Sequence, residues 1–196
     1  MKKLVRVLTY SVGGILLFWT ILTLWVERKG KAESFNFGDV SASTSILIVY
    51  DPDPFYDLDK QVCVAFAETA AAGGAYCKVS TVAAVSPSEA RSYDAYVFCG
   101  NTYNWQPDWA ITNFIENLAD LSSKRVVVFT VGAGATQGSQ RALESLVVNQ
   151  GGKLIESRSL WLMRPNDESR TDESNVDVAK SMARSSAAVL VSSLRH

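Results

Sequence analysis

The sequence predicts an α/β domain, a parallel sheet with helices on both faces, carried behind one transmembrane helix. Three observations predict it. Val7–Val26 reads VLTYSVGGILLFWTILTLWV without a single charge. Beyond residue 44, short apolar runs such as Ser45–Tyr50 (SILIVY) and Arg125–Val131 (RVVVFTV) recur along the chain. Between them lie segments of helical period. Apolar runs of that length suit strands buried on both faces, and parallel neighbours of that kind are joined by crossover helices.

The N-terminal run is long enough to cross a bilayer. Twenty helical residues at ~1.5 Å each reach ~30 Å, the thickness of the hydrocarbon layer. Tyr10 and Trp25 suit the interfacial aromatic belts. A cleaved signal peptide would have a shorter apolar region, ~7–15 residues, closed by small residues. Here the run ends Trp25-Val26-Glu27-Arg28-Lys29. Residues 1–26 are therefore read as a retained single-pass anchor in the cell membrane, in contact with lipid. Lys2, Lys3 and Arg6 precede the span and Arg28, Lys29 and Lys31 come after it, so the positive-inside rule does not choose an orientation.

Residues 27–44 mix charged, Gly and Ser residues and read as a tether, with Phe35 and Phe37 available to dock on the domain. That domain is expected over residues 45–194. Ser45–Tyr50 is its first strand. Asp57–Ala72 has helical period and stops at Gly73-Gly74. Ala75–Ser80 is a short strand and Tyr93–Cys99 (YDAYVFC) a third. Asp108–Leu118 is a helix with Ile111, Phe114, Ile115 and Leu118 inward. Arg125–Val131 is the fourth strand. Thr136–Asn149 is a helix with Ala142, Leu143, Leu146 and Val147 on one face, for which Thr136 and Ser139 are candidate caps. Lys153–Met163 carries the fifth strand. Arg164–Asp172 is charged and read as solvated, and Glu173–Leu194 is the closing helix.

Composition removes several functions. With 19 basic and 20 acidic residues in 196, the net charge of −1 offers nothing to neutralise phosphates, so nucleic acid is not an expected partner. The single histidine, His196, stands at the C-terminus, which excludes a Ser-His-Asp triad and His-rich metal centres. Cys63, Cys77 and Cys99 are odd in number and sit in apolar segments, so they read as buried reduced thiols. That favours a reducing compartment and leans the soluble domain towards the cytoplasm.

The stretch Tyr93–Gly138, YDAYVFCGNTYNWQPDWAITNFIENLADLSSKRVVVFTVGAGATQG, resembles the central half of flavodoxins. In that family the third strand ends in a small residue and a loop carrying Tyr and Trp, and the fourth runs into a glycine loop. Gly100, Tyr103 and Trp105 occupy the first of these loops here, and Gly132 and Gly134 the second. The resemblance implies a five-stranded sheet in the order 2-1-3-4-5 and a ligand crevice at the carboxyl ends of the first, third and fourth strands, where open α/β sheets bind ligands. It implies FMN as cofactor. The expected binding residues are Asn101, Thr102, Tyr103, Asn104, Trp105, Gly132, Ala133 and Gly134, with the Tyr103 and Trp105 rings stacking on the flavin. The competing reading is that one or both rings cover the sheet edge or pack on Trp109.

The loop after the first strand departs from the family. Flavodoxins hold the flavin phosphate there with Ser, Thr and Gly, using converging N–H groups and a helix N-terminus. Here it reads Asp51-Pro52-Asp53-Pro54-Phe55-Tyr56-Asp57-Leu58-Asp59. It has no Gly, Ser or Thr, and each proline removes a donor. One close like-charge pair costs ~1 kcal/mol in water and ~4 kcal/mol at an effective dielectric of 20. A phosphate dianion is expected to be excluded or moved elsewhere.

Three readings suit this loop. It is a solvated turn with Asp57 or Asp59 capping the helix, a weak Mg²⁺ site on Asp51 and Asp53, or the edge of an FMN site gripped by the ring alone. The leading expectation is a membrane-anchored, flavodoxin-like electron-transfer protein or flavin-dependent oxidoreductase with a redox protein partner. The alternative is a cofactor-free interaction module at the membrane.

Overall fold

The computed structural model describes residues 2–195 apart from Ala119, and for Arg91 only the backbone. His196 lies outside the described residues. The first element is a single helix, α1 (Lys2–Val26), long and apolar enough to cross a membrane. It takes in Lys2, Lys3 and Arg6 ahead of the uncharged run, because nothing in that first turn breaks a helix.

The domain is built on five parallel strands: β2 (Ser45–Tyr50), β3 (Tyr76–Thr81), β4 (Ala95–Tyr103), β6 (Arg125–Gly132) and β7 (Lys153–Trp161). Across the sheet they stand β3-β2-β4-β6-β7, which is the expected order 2-1-3-4-5. Helices α2 (Leu58–Ala72) and α5 (Asn175–Leu194) cover one face, and α3 (Trp109–Asn117) and α4 (Gln137–Asn149) the other.

The strand count exceeds five. Ser34–Phe37, inside the stretch read as a tether, forms β1 and pairs antiparallel with β3 at the sheet edge, Ser34 facing Ser80 and Phe37 facing Cys77. Phe35 and Phe37 pack against the core while Ser34 and Asn36 face out, a period-two alternation too short to stand out in a charged segment. A two-residue strand, β5 (Gln106–Pro107), folds back on the end of β4.

Side-chain alternation along each strand divides the core. Ile46, Ile48 and Tyr50 of β2 meet Cys63, Phe66 and Ala70 of α2 and Ala183 and Leu190 of α5. Leu47 and Val49 meet the other layer, with Tyr96, Phe98, Ile111, Phe114 and Leu143. Both layers are solvent-free, which explains why the strands read as unbroken apolar runs. All three cysteines are free thiols in this core. Burial pushes the Cys77 thiol up to about 12, so it behaves as a small hydrophobe and not as a nucleophile.

Candidate functional site

The tips of β2, β4 and β6 meet at one end of the sheet. β4 runs four residues beyond the predicted Cys99 and turns over through Asn104 and Trp105, with Thr102 opposite Pro107 and Tyr103 opposite Gln106. Asn104 and Trp105 have φ of 50° and 63°. A two-residue hairpin with both φ positive is the type I′ turn, whose twist matches paired strands. Asn suits its first position. Trp at the second takes the left-handed conformation where Gly is the usual residue, so its ring stands 66 % exposed at the hairpin tip. Behind this turn, Gly132 approaches so closely that a Cβ there would stand 2.9 Å from Thr136 Cγ2 and 3.4 Å from Thr102 Cβ. Gly134 lies against the stem of Arg164 in the same way, so that arginine belongs to the crevice rim.

The acidic loop is not a loose solvated turn. Asp59, fully buried in the first turn of α2, holds it from within. Its Oδ2 accepts from the Asp53 amide (2.9 Å) and from Asn101 Nδ2 (3.2 Å), and its Oδ1 from the Lys60 amide (2.7 Å). The converging donors and the helix N-terminus that would serve an anionic ligand are thus filled by a carboxylate of the chain itself. Asp57, the expected alternative cap, makes no capping bond and accepts from Gln61 instead.

Asn101, buried at the β4 tip, ties the loops together. Its side chain also donates to the Asp51 carbonyl (2.6 Å), and its amide donates to Asp108 Oδ2 (2.7 Å). Asp108 is the N-cap of α3 and accepts from the Ile111 amide. Asp53 Oδ1 accepts from the Phe55 and Tyr56 amides, and its Oδ2 from the Tyr103 hydroxyl at 2.6 Å. Asp51 Oδ1 accepts from the Gly30 amide (3.0 Å).

These bonds carry an electrostatic cost. Burial pushes the Asp51 and Asp59 carboxyls up to about 6, against the lowering effect of their hydrogen bonds. Burial likewise raises Asp108 well above the carboxylate range, with Asp51 and Glu27 adding to it. Burial, then the bond to Asp53, raises Tyr103. Among the described residues, no group of three or more His, Cys, Asp or Glu is arranged around a metal position. The Asp51 and Asp53 oxygens that bond do so to protein hydrogens.

The expected binding residues divide between two cavities. One, of about 270 Å³, is lined by Tyr103, Thr102, Asn104, Asp53, Phe55 and Tyr56 together with Trp19, Leu22, Thr23 and Val26 of α1. The other, of about 230 Å³, is lined by Thr102, Asn104, Trp105, Ala133, Gly134 and Ala135, with Trp19 and Tyr56. Tyr103 and Trp105 therefore line different hollows, not opposite walls of one slot. Asn101 and Gly132 are buried beneath them. Trp109 is 48 % exposed at the start of α3, its amide donating to Glu27. The residues that sequence reasoning missed are Asn101 as a loop tie, Asp59 as an internal anion, and Trp19. The position of Asp108 just ahead of a helical period was a readable cap signal. Nothing local marks Trp19, whose role depends on how α1 lies against the domain.

The acidic loop does not fit the FMN phosphate, because the Asp53 and Lys60 amides already donate to the Asp59 carboxylate.

No family model and no curated protein sequence matches the chain. Solved structures do. An archaeal flavodoxin superposes with a TM-score of 0.61 at 10 % identity, over 78 % of this chain and 100 % of its own. Oxidised flavodoxin 2 of Bacillus cereus gives 0.55 at 19 % identity, over 71 % and 95 %. Rubredoxin:oxygen oxidoreductase of Desulfovibrio gigas gives 0.60 at 16 % identity, over 79 % of this chain and 38 % of that one. At such identities the likeness establishes architecture, and in architecture this chain is flavodoxin-like.

Proposed function

We propose that the chain is a membrane-anchored flavodoxin-fold interaction module that works without FMN. The observation that carries this reading is Asp59, whose carboxylate accepts the amides of Asp53 and Lys60 at 2.9 and 2.7 Å where a flavin phosphate would have to bind. Displacing it would leave those donors to a dianion beside Asp53, at ~1–4 kcal/mol for a close like-charge pair. α1 supports the anchoring, being long and apolar enough to span a bilayer. The test is titration of the purified full-length protein with FMN. Flavin fluorescence should remain unquenched to high micromolar protein, and the protein should be colourless. A yellow preparation, or FMN bound at low micromolar concentration, would overturn the reading.

A second reading is a flavin site gripped by the ring alone, serving electron transfer. It is favoured by the way Asn104, Trp105, Ala133 and Gly134 gather round one cavity at the tips of β4 and β6. Such a site would take riboflavin as tightly as FMN, since neither phosphate nor its absence would matter to it. Equal binding of the two flavins would support this reading and displace the first.

A further inference from the structure

α1 does not leave the domain through a free linker. Its last turn is tied to the strand-tip end at three points. Asn104 Nδ2 donates to Thr23 Oγ1 (3.1 Å), the Trp25 ring meets the Phe55 ring edge-on at 5.1 Å, and the Trp109 amide donates to Glu27 Oε2 (2.7 Å). Thr23 to Glu27 rise only ~6 Å along a helix axis. The β4 hairpin, the acidic loop and the start of α3 are thus all fastened at the depth where the apolar helix ends. In a bilayer that depth is the interface.

The same end of the domain exposes four large apolar side chains. Phe55 is 63 %, Trp105 66 %, Trp109 48 % and Met163 75 % exposed. Phe55 caps the loop after β2, Trp105 the hairpin after β4, Trp109 opens α3, and Met163 comes just after β7. Phe and Trp are costly to leave in water together, and Trp belongs by preference at the headgroup level. Arg28, Lys29 and Lys31 line a hollow beside Trp25 and Pro54 together with Glu33 and Asp53, three cations to two carboxylates at the level where phospholipid phosphates lie.

We infer that the strand-tip face of the domain is a second membrane-contact surface, seated on the phospholipid interface of the bilayer that holds α1, with Phe55, Trp105, Trp109 and Met163 among the headgroups. The crevice then opens towards lipid and not towards bulk water. The surface is a consequence of the docking of α1 and does not depend on whether a flavin binds.

Site-directed labelling tests it. Cys63, Cys77 and Cys99 are fully buried, so one introduced cysteine takes a polarity-sensitive thiol dye selectively. The full-length variants Phe55→Cys, Trp105→Cys and Met163→Cys are compared in phosphatidylcholine–phosphatidylglycerol vesicles with Ser43→Cys, exposed at the opposite end of the sheet. Labels at the three tip positions should be blue-shifted, quenched several-fold more by headgroup-level lipid quenchers than the Ser43 label, and protected from aqueous iodide. Each position is exposed in the fold, so failure of one variant leaves the others to decide. Iodide quenching at Trp105 and Met163 equal to that at Ser43 would overturn the inference, even with Phe55 protected, since Phe55 touches α1 directly. Flotation of the protein with the vesicles reads anchoring separately. Water-exposed tips on floating protein refute the surface alone.

Discussion

The Tyr103 hydroxyl donates to Asp53 Oδ2 across 2.6 Å and joins the β4 hairpin to the acidic loop. The bond runs from the base of the β4 hairpin to the middle of the acidic loop. Tyr103 lines the hollow bounded by Phe55 and α1, and Trp105 the adjoining one, the two sharing Trp19, Tyr56, Thr102 and Asn104. The ring expected to stack on a flavin also serves as a strut through its hydroxyl.

Tyr103→Phe removes that strut without changing the ring. Hydrogen bonds to charged acceptors contribute ~1.5–3 kcal/mol. Asp53 keeps its bonds from the Phe55 and Tyr56 amides, so no carboxylate is orphaned and the loss falls at the lower end. We expect a fall of about 1–2 kcal/mol in unfolding free energy, read as a lower denaturant midpoint with an unchanged slope. Limited proteolysis should also cut faster between Pro52 and Leu58.

The buried carboxyls make the domain steadier in mild acid. Asp51 and Asp59 titrate near 6 in the fold against an ordinary 3.8. Below the lower value both the folded and unfolded chains hold these protons. Between the two, the unfolded chain has released protons that the fold retains, so stability falls as pH rises through this window and levels off above it. Each group contributes about 1–3 kcal/mol to that fall. Melting temperature should therefore be higher at pH 5 than at pH 7.5. Surface carboxylates held low, such as Asp39 and Glu89, pull the other way, so the decisive comparison is with Asp59→Asn. That variant should lose part of the pH slope whatever it does to stability at one pH.

How much of this was written in the sequence depends on range. The five parallel strands and the covering helices were legible, because burial on both faces leaves runs such as SILIVY and RVVVFTV predominantly apolar, without the alternation of a half-exposed strand. β1 was not, since Ser34–Phe37 gains its strand character only by pairing with β3 some forty residues on. The site was legible as a place, less so in its internal bonding. Thr102, Asn104, Trp105, Ala133 and Gly134 do line one hollow. The deficit of Ser, Thr and Gly in the acidic loop was legible too, and the structure fills that loop's amides with Asp59 and Asp53 carboxylates. That Asp59 would turn inward and bond the Asp53 amide, while Asp57 stays exposed, depends on Asn101 standing opposite. No spacing rule carries that.

Asp108 couples a helix cap to the β4 tip, accepting from the Ile111 amide at 2.8 Å and the Asn101 amide at 2.7 Å. Asp108→Ala loses the cap, worth ~0.5–2 kcal/mol. It also leaves a buried amide unpaired, at ~1–3 kcal/mol. A combined loss of about 2–4 kcal/mol is expected in chemical denaturation. Asp108→Asn keeps the shape and one acceptor and should recover at least half of it. If alanine and asparagine cost the same, the second acceptor oxygen, which asparagine lacks, is what matters.

Trp105 separates a structural role from a membrane role by the sign of its effect. Its φ of 63° is a conformation that costs an ordinary residue ~1–2 kcal/mol and glycine nothing. Glycine in turn gives back ~0.5–1 kcal/mol through the freedom of its unfolded chain. Trp105→Gly in detergent should therefore leave unfolding free energy unchanged or raise it by up to ~1 kcal/mol. The side chain removed is mostly exposed, so little packing goes with it. In vesicles, a dye on the neighbouring Asn104→Cys position should move towards water when Trp105→Gly is added, because the hairpin has lost the ring that holds it at the interface. A loss of stability in detergent instead, beyond about 1 kcal/mol, would assign the ring to the packing of the fold and leave the strained turn without a membrane purpose.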